Sequence, residues 1–146
     1  MSLKRFLKNR RNLVVMAESD SVASGIRRMI DEHSGAILIA ASDGVLTGIV
    51  TERDVMIRVT AEGRDANSMT LGDVMTTEIV RCDEETEIND AIDLMREHRI
   101  RHLPVVCVAG TIAGMISLRY LLHDRIEELV EELDSLQAYF NDAPGG

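Results

Sequence analysis

The chain contains an internal repeat. When the sequence is shifted by 66 positions, it overlays on itself without a gap. Glycines coincide in the same register as apolar residues, and chance does not easily produce that combination. The matching positions include Val14 with Val80, Ile26 with Ile92, Met29 with Met95, Gly44 with Gly110, Gly48 with Gly114, and Arg53 with Arg119. The repeat predicts two halves that adopt the same fold.

Each half has the element order strand, helix, strand, strand, helix. In the second half, Thr86 opens a segment with apolar residues at helical spacing, and Leu103–Val108 is a nearly continuous apolar strand. The predicted elements of the first half are Leu13–Met16, Ser21–His33, Ala36–Ala40, Val45–Val50 and a helix from Thr51. Those of the second are Glu78–Cys82, the helix from Thr86, Leu103–Val108, Thr111–Ile116 and a helix capped by Ser117. The fold class is therefore α/β (α+β), built from two βαββα repeats.

The segments divide the chain as follows: a basic N-terminal segment at 1–11, repeat one at 12–60, a polar linker at 61–73, repeat two at 74–125, and a C-terminal helical extension and tail at 126–146. A half of about 50 residues buries too little surface to be stable on its own. We therefore expect the halves to share a core about an approximate two-fold axis.

Composition excludes several classes of function. Aromatic residues make up 3% of the chain and the formal net charge is −9, which disfavours a nucleic-acid-binding surface. No apolar run is long enough for a membrane span, and the N-terminus lacks the apolar core of a signal peptide. The isolated Cys82 and Cys107 fit reduced thiols. We expect a cytoplasmic protein without nucleic-acid or membrane partners.

Three short segments resemble the cystathionine-β-synthase (CBS) motif. Residues 48–54 read Gly-Ile-Val-Thr-Glu-Arg-Asp, residues 101–105 read Arg-His-Leu-Pro-Val, and residues 73–76 read Asp-Val-Met-Thr. Their order inside a tandem repeat makes the resemblance specific, and it covers roughly residues 12–125. The resemblance implies a tandem CBS pair with two clefts between the repeats and a regulatory function. It also implies an adenosine-containing ligand (AMP, ADP, ATP, NAD or S-adenosylmethionine), with AMP expected first, and no required cofactor.

The resemblance places a competent site in the first cleft. In family members that bind adenosine ligands, the motif's Thr contacts phosphate, the Asp three residues later holds the ribose, and basic residues before Leu-Pro-Val contact phosphate. The corresponding residues here are Ile49, Thr51, Asp54, Ile79, Val80, Arg99, Ile100, Arg101, His102 and Pro104.

The residue types support that chemistry independently. A strand entering a helix at Thr51 presents free N–H groups to an anion, and Asp54 can accept bonds from two adjacent hydroxyls. Arg99 and Arg101 can supply forked donors to a phosphate. In the competing interpretation, Thr51 is only a helix N-cap and Asp54 only favours the first helical turn.

The second cleft lacks these groups. It would combine Ser117 and Tyr120 with Leu13 and Val14, together with His33, Gly35, Ala36 and Leu38. Tyr120 replaces the ribose-binding Asp, and Gly35-Ala36 replaces the basic pair. A phosphate there would lack charged partners, which is costly once the site is desolvated. We expect one competent cleft and one weaker cleft, in which Tyr120 either fills the space or stacks on an adenine.

No arrangement of residues indicates catalysis or metal binding. His98 and His102 are four apart, but a predicted helix-to-strand boundary separates them, and no third ligand stands at suitable spacing. Arg53 and Arg119 recur at equal positions, which fits a structural task better than a functional one. Since no nucleophile or general base with a defined partner stands out, we expect a protein that is not an enzyme.

The C-terminal segment has a heptad pattern. Apolar residues alternate spacings of four and three at Leu122, Ile126, Leu129, Leu133, Leu136 and Phe140. This stripe could fold back on its own module or pair with a second chain, and the resemblance to the CBS family, whose modules commonly form flat dimers, favours a homodimer. The alternative to ligand sensing is therefore a ligand-free dimeric scaffold for protein interactions; an enzyme acting on a nucleotide is the least favoured function.

Overall fold

A computed structural model describes residues 2–7 and 13–142; residues 1, 8–12 and 143–146 lie outside this description, as do parts of the predicted N-terminal segment and C-terminal tail. The helices are α1 (Lys4–Leu7), α2 (Val22–Asp31), α3 (Glu52–Val55), α4 (Leu71–Val74), α5 (Ile88–Glu97) and α6 (Leu118–Asn141), and a π-helical stretch, Met56–Thr60, continues α3. The strands are β1 (Val15–Met16), β2 (Ala36–Ala40), β3 (Leu46–Thr51), β4 (Cys82–Asp83), β5 (His102–Val106) and β6 (Ile112–Ser117).

The strands form two three-stranded sheets with the same topology. In each sheet the short first strand is parallel to the second, and the second is antiparallel to the third. Ala36 pairs with Thr51 in one sheet and His102 with Ser117 in the other, so the register is conserved under the 66-residue shift. The mixed α/β fold with two βαββα repeats is confirmed. β1 and β4 are shorter than the predicted runs Leu13–Met16 and Glu78–Cys82.

Both long repeat helices end in the same way. His33 after α2 and Arg99 after α5 have positive φ values of 52° and 55°. In the first repeat, the next residue, Ser34, donates its N–H to the carbonyl of Met29 at 3.0 Å. The second repeat has the same bond from Ile100 to Met95 at 2.9 Å. This left-handed C-terminal motif satisfies carbonyls that the helix leaves free and turns the chain into the next strand.

Each repeat is completed by a short helix from outside its βαββα unit. Leu3 is fully buried in the core of the second repeat, and Leu71 is fully buried in the core of the first. The backbone contacts correspond: Leu3 N–H donates to Thr86 at 3.0 Å, and Leu71 N–H donates to Asp20 at 2.8 Å. The predicted linker 61–73 thus carries core residues as well as polar ones.

A third apolar cluster joins the repeats. Its buried members come from both sheets: Ala36, Leu38, Leu46, Ile49 and Val106. Backbone hydrogen bonds also link the two strand hairpins, from Leu46 to Gly110 and from Ile112 to Gly44, both at 3.1 Å. The expected shared core between the halves is therefore present in the structure.

Helix α6 extends far beyond the second repeat. It has 24 residues, of which Leu121 near its start is buried. Arg5 of α1 forms ion pairs with Asp124 and, at 2.8 Å, with Glu128, and these pairs hold the first turns of α6 against the module. The heptad stripe is exposed, between 44% at Leu129 and 71% at Phe140. Within the described residues, α6 does not fold back to cover its own apolar stripe.

Within residues 2–7 and 13–142, no helix combines the length and the apolar character needed to cross a membrane.

Candidate functional site

Thr51 and Asp54 form a reciprocal hydrogen-bonded cap where β3 enters α3. The Thr51 hydroxyl accepts from the Asp54 N–H at 3.2 Å, and the Asp54 carboxylate accepts from the Thr51 N–H at 2.9 Å. The Thr51 hydroxyl also lies 3.1 Å from Oδ2 of Asp54. The competing structural interpretation of these residues is thus realised as a capping box.

Thr76, near the start of the second repeat, contacts this cap. Thr76 exchanges both backbone hydrogen bonds with Ile49, at 3.0 and 2.9 Å. Its hydroxyl lies 3.4 Å from Oδ1 of Asp54, which leaves that oxygen only a long, weak bond. The sequence indicated residues 73–76 as a motif but gave no signal that Thr76 would reach Asp54, because the contact depends on how the segment docks.

His102 crosses the boundary between the repeats. It begins β5 of the second repeat, yet its ring packs against Gly35 of the first: a Cβ at Gly35 would lie 3.1 Å from Cε1 of His102. The same point is 3.4 Å from Cδ of Glu52, and the Glu52 N–H donates to the Gly35 carbonyl at 3.0 Å. Gly35, assigned from sequence to the second cleft, therefore lies beside the first.

Burial determines the charge of His102. Loss of solvent lowers the pKa of the imidazole, the Glu52 carboxylate opposes this shift, and Arg101 adds to it. The neutral ring is therefore favoured at neutral pH. Neither Glu52 nor a role for the His102 protonation state was predicted from the sequence.

Two arginines precede His102 in the chain. Arg99 and Arg101 are exposed, and within the described residues neither guanidinium has an ion-pair partner. The Arg101 carbonyl accepts from the N–H of Leu118 at 2.9 Å, which fixes its backbone at the start of α6. Both side chains are available to an anion, as forked donors that suit phosphate.

The predicted apolar lining divides between two clusters. Ile49 and Ile79 belong to the cluster that joins the repeats, so they lie at the seam. Val80 and Ile100 pack on the core of the second repeat instead. Pro104 is buried in β5 opposite Met115. Ile49 and Ile79 therefore lie between the halves, and Pro104 is on the face of β5 that carries Val106 of the same cluster.

The residues predicted for the second cleft have other partners. Ser117 caps α6, accepting from the Tyr120 N–H at 3.1 Å, and the Tyr120 ring meets the Phe6 ring edge-on at 5.6 Å between centroids. Val14 is fully buried in the core of the first repeat, whereas Leu13 packs against the cluster between the repeats. Tyr120 thus contacts the N-terminal helix, an arrangement that the sequence did not predict.

Two surface pockets lie near the repeat helices, and Glu52 lines one of them. One of about 250 Å³ lies between α1, α5 and α6, and another of about 210 Å³ lies between α2 and α3. Neither includes Thr51, Asp54 or Arg101. In the larger one, Arg5 is already paired with Asp124 and Glu128, which leaves little unpaired charge for a ligand. Among the described residues, no group of three or more His, Cys, Asp and Glu could hold a metal ion.

Two docked α/β repeats whose strand hairpins meet at a common seam define the class: a tandem-repeat module. The sequence matches the CBS domain family twice, over residues 5–60 and 71–127. The chain belongs to the CBS domain family, which confirms the resemblance seen in the motifs.

Relatives agree with this assignment. The mitochondrial CBS domain-containing protein CBSX3 of Arabidopsis thaliana is 35% identical over 124 residues, 82% of this chain and 60% of that protein. The chain spans about 60% of the length of several curated relatives that it matches.

Solved structures show the same fold. A CBS-domain protein from Burkholderia ambifaria superposes with a TM-score of 0.79 at 29% identity, over 87% of this chain and 95% of that one. A CBS domain protein from Pyrobaculum aerophilum, complexed with AMP, has a TM-score of 0.70 at 24% identity, over 80% and 87% of the two chains.

Proposed function

We propose that this CBS pair binds an adenosine-containing nucleotide, AMP foremost, at the seam between its repeats and acts as a sensor rather than an enzyme. The observation that carries the proposal is the packing of the His102 ring from the second repeat against Gly35 of the first, where the Glu52 carboxyl carbon also lies 3.4 Å from the position that a Gly35 Cβ would take. Glu52 directly follows Thr51, and this neighbourhood supports a site that combines residues of both repeats.

The capping box is compatible with ribose binding. A carboxylate has about four lone-pair directions, and the Thr51 cap uses Oδ2 of Asp54. Oδ1 has only the long contact with Thr76. Adjacent ribose hydroxyls could therefore bond to Asp54 without breaking the cap, and binding would retain the stabilisation of α3.

The charges near the seam suit a single phosphate group. Arg99 and Arg101 are exposed, lack ion-pair partners within the described residues and directly precede β5. The fold itself accommodates such a ligand, since the Pyrobaculum protein is complexed with AMP. These groups would account for ligand binding. A signal would arise only if the ligand binds one arrangement of the two repeats more tightly than another.

Calorimetry with AMP, ADP, ATP, NAD and S-adenosylmethionine tests the proposal, and Asp54→Ala sharpens it. We expect AMP to bind the natural sequence and Asp54→Ala to weaken binding at least about tenfold, because hydrogen bonds to charged groups contribute roughly 1.5–3 kcal/mol.

Asp73→Ala is the matched control. Asp73 forms the same capping box with Thr70 at the start of α4, with the Thr70 N–H donating at 2.9 Å. Both variants lose a helix cap, but only Asp54→Ala should bind AMP more weakly. Equal loss of binding in both variants would indicate a folding effect, and no heat with any of the five ligands would reject the proposal.

The exposed stripe on α6 supports a second part of the proposal, self-association. Leu122, Ile126 and Leu133 are 47%, 59% and 58% exposed, and a regular apolar stripe of this length needs a covering surface. We propose that a second copy of α6 covers it, since the heptad spacing matches that of a paired helix. The ligand-free dimeric scaffold is the function that remains if calorimetry detects no ligand.

A further inference from the structure

The exposed apolar stripe on α6 is symmetric about residue 131. Its members lie two, five and nine residues on either side of that position. A stripe with this spacing matches itself when the helix direction is reversed, so each member meets an apolar partner in an antiparallel pair. The matching members are Leu129 with Leu133, Ile126 with Leu136, and Leu122 with Phe140. A parallel pair would cover the same stripe, so the residues beside the stripe decide between the two directions.

The residues that flank the stripe favour one direction. Val130 and Tyr139 are 50% and 71% exposed, and Arg125 is exposed as well. In a parallel pair, Val130 would face Arg125 of the second copy, and Tyr139 would lie beyond the end of the second helix at Asn141. In an antiparallel pair, Val130 faces Val130 of the second copy. Arg125 then faces Tyr139 of the second copy, whose ring can bind the guanidinium.

The charges of α6 are unevenly distributed along the helix. Residues 129–141 contain three acidic residues and no basic one, whereas residues 118–128 contain Arg119 and Arg125. A parallel pair would place the two acidic halves side by side, whereas an antiparallel pair places each beside the half that carries the arginines. Within the described residues, no ion-pair partner is present for any of the three acids, Glu131, Glu132 and Asp134.

We propose that α6 pairs antiparallel with α6 of a second copy, about a two-fold axis near residue 131. This inference rests on the self-association part of the proposed function, because it gives that pairing a direction. The two modules then lie at opposite ends of the pair, with their buried Leu121 residues about 30 Å apart along the helix axis. Glu132 faces its own copy across the axis, at the exposed edge of the seam, where solvent limits the repulsion.

The direction also gives the largest surface pocket a neighbour. Arg125 is among the residues that line the pocket of about 250 Å³ between α1, α5 and α6. Because Tyr139 of the second copy lies opposite Arg125, its ring is placed at the edge of this pocket. Phe6, Ile88 and Ile92 supply apolar lining there.

Cross-linking of single-cysteine variants with a short bismaleimide distinguishes the two directions. Cys82→Ser and Cys107→Ser first remove the native thiols, which are free in this fold. Val130→Cys should then give a covalent dimer, because position 130 faces itself only in the antiparallel pair. Ile126→Cys should cross-link at least about tenfold more slowly, because its two copies lie about 15 Å apart along the axis of that pair.

Ser135→Cys is the matched control, since Ser135 is exposed on α6 outside the stripe and should stay unlinked in either direction. Cross-linking of Ile126→Cys but not Val130→Cys would overturn the antiparallel direction and leave self-association intact. A chain of dimeric mass in which both variants or neither cross-link would overturn pairing about residue 131. A monomeric mass in light scattering would overturn the direction and the self-association together.

Discussion

At the scale of single residues, identical local chemistry occurs in different surroundings. Thr51 with Asp54 and Thr70 with Asp73 form capping boxes of the same geometry. Asp73 accepts only from its own cap, and these hydrogen bonds lower its pKa. Asp54 also lies beside Thr76. A local motif alone therefore does not show whether a Thr–Asp pair is only a helix cap or also a ligand contact. The residues that the fold places next to the pair decide this.

Arg99 permits a test that separates backbone from side chain. It occupies the left-handed position after α5, with φ of 55°, where glycine is the preferred residue. Arg99→Gly should leave the free energy of unfolding unchanged or raise it by up to about 1 kcal/mol, since the strain of a non-glycine residue is relieved. The same change should weaken AMP binding about fivefold or more, because a forked phosphate donor is lost.

His33→Gly is the control for this variant, because His33 has the same conformation, φ of 52°, after α2. Chemical denaturation should show similar stability changes for the two glycine variants, while calorimetry should show an AMP effect for Arg99→Gly alone. An AMP affinity unaffected by Arg99→Gly would remove Arg99 from the site and leave it a structural role.

At the scale of elements, α6 has an anchored beginning and an uncovered remainder. Leu121 is buried and Arg5 pairs with Asp124 and Glu128 near the start of the helix. Arg5 donates to Glu128 and thereby lowers the pKa of that carboxyl. Farther along, Leu133 and Leu136 are 58% and 54% exposed. The anchored part belongs to the module, and the exposed part is the surface that a second copy would cover.

The double variant Leu129→Glu/Leu133→Glu tests self-association through α6. Light scattering should give the mass of a dimer for the natural sequence and about 16.2 kDa, one chain, for the variant. Charges in the stripe would have to be buried without partners on pairing, which opposes association. Thermal stability of the repeats should persist, because neither leucine contributes to their cores.

Glu131→Ala/Ser135→Ala, on exposed positions outside the stripe, should keep the dimeric mass. A natural sequence that is monomeric, or a dimer that survives the leucine substitutions, would contradict pairing through α6.

The long elements were predictable and the short ones were not. Strand β2 matches its predicted range, Ala36–Ala40, because five apolar residues between polar turns give a clear signal. Helices α1 and α4 have four residues each, too few for a periodic pattern, so their core residues Phe6 and Leu71 were not recognised. Propensity alone does not stabilise so short a helix; packing does.

The local geometry of the candidate site was predictable in part. The identity of Thr51 and Asp54 followed from motif and chemistry, and their capping geometry agrees with one of the two interpretations offered. The contact between Gly35 and His102 could not be predicted, since it depends on the docking of two repeats with no local pattern to report it. Glu52 was overlooked for the same reason.

At the scale of the whole molecule, the two repeats share backbone bonds and an apolar cluster. Val45 bridges Thr111, and Leu38 and Ile49 pack with Val106 in one buried group. A ligand that touches both repeats would change the energy of this seam. Only the difference in its affinity for alternative arrangements of the repeats could act as a signal.

The most direct test of the shared site is calorimetric titration of AMP into a second-repeat variant, Arg101→Ala. We expect one AMP per chain for the natural sequence and about a ten- to hundredfold loss of affinity in Arg101→Ala, because a charge-assisted phosphate contact is removed. Arg96→Ala is the control, since Arg96 is exposed on α5 and paired with Asp93 at 2.7 Å. Unchanged AMP affinity in Arg101→Ala would contradict a site built from both repeats.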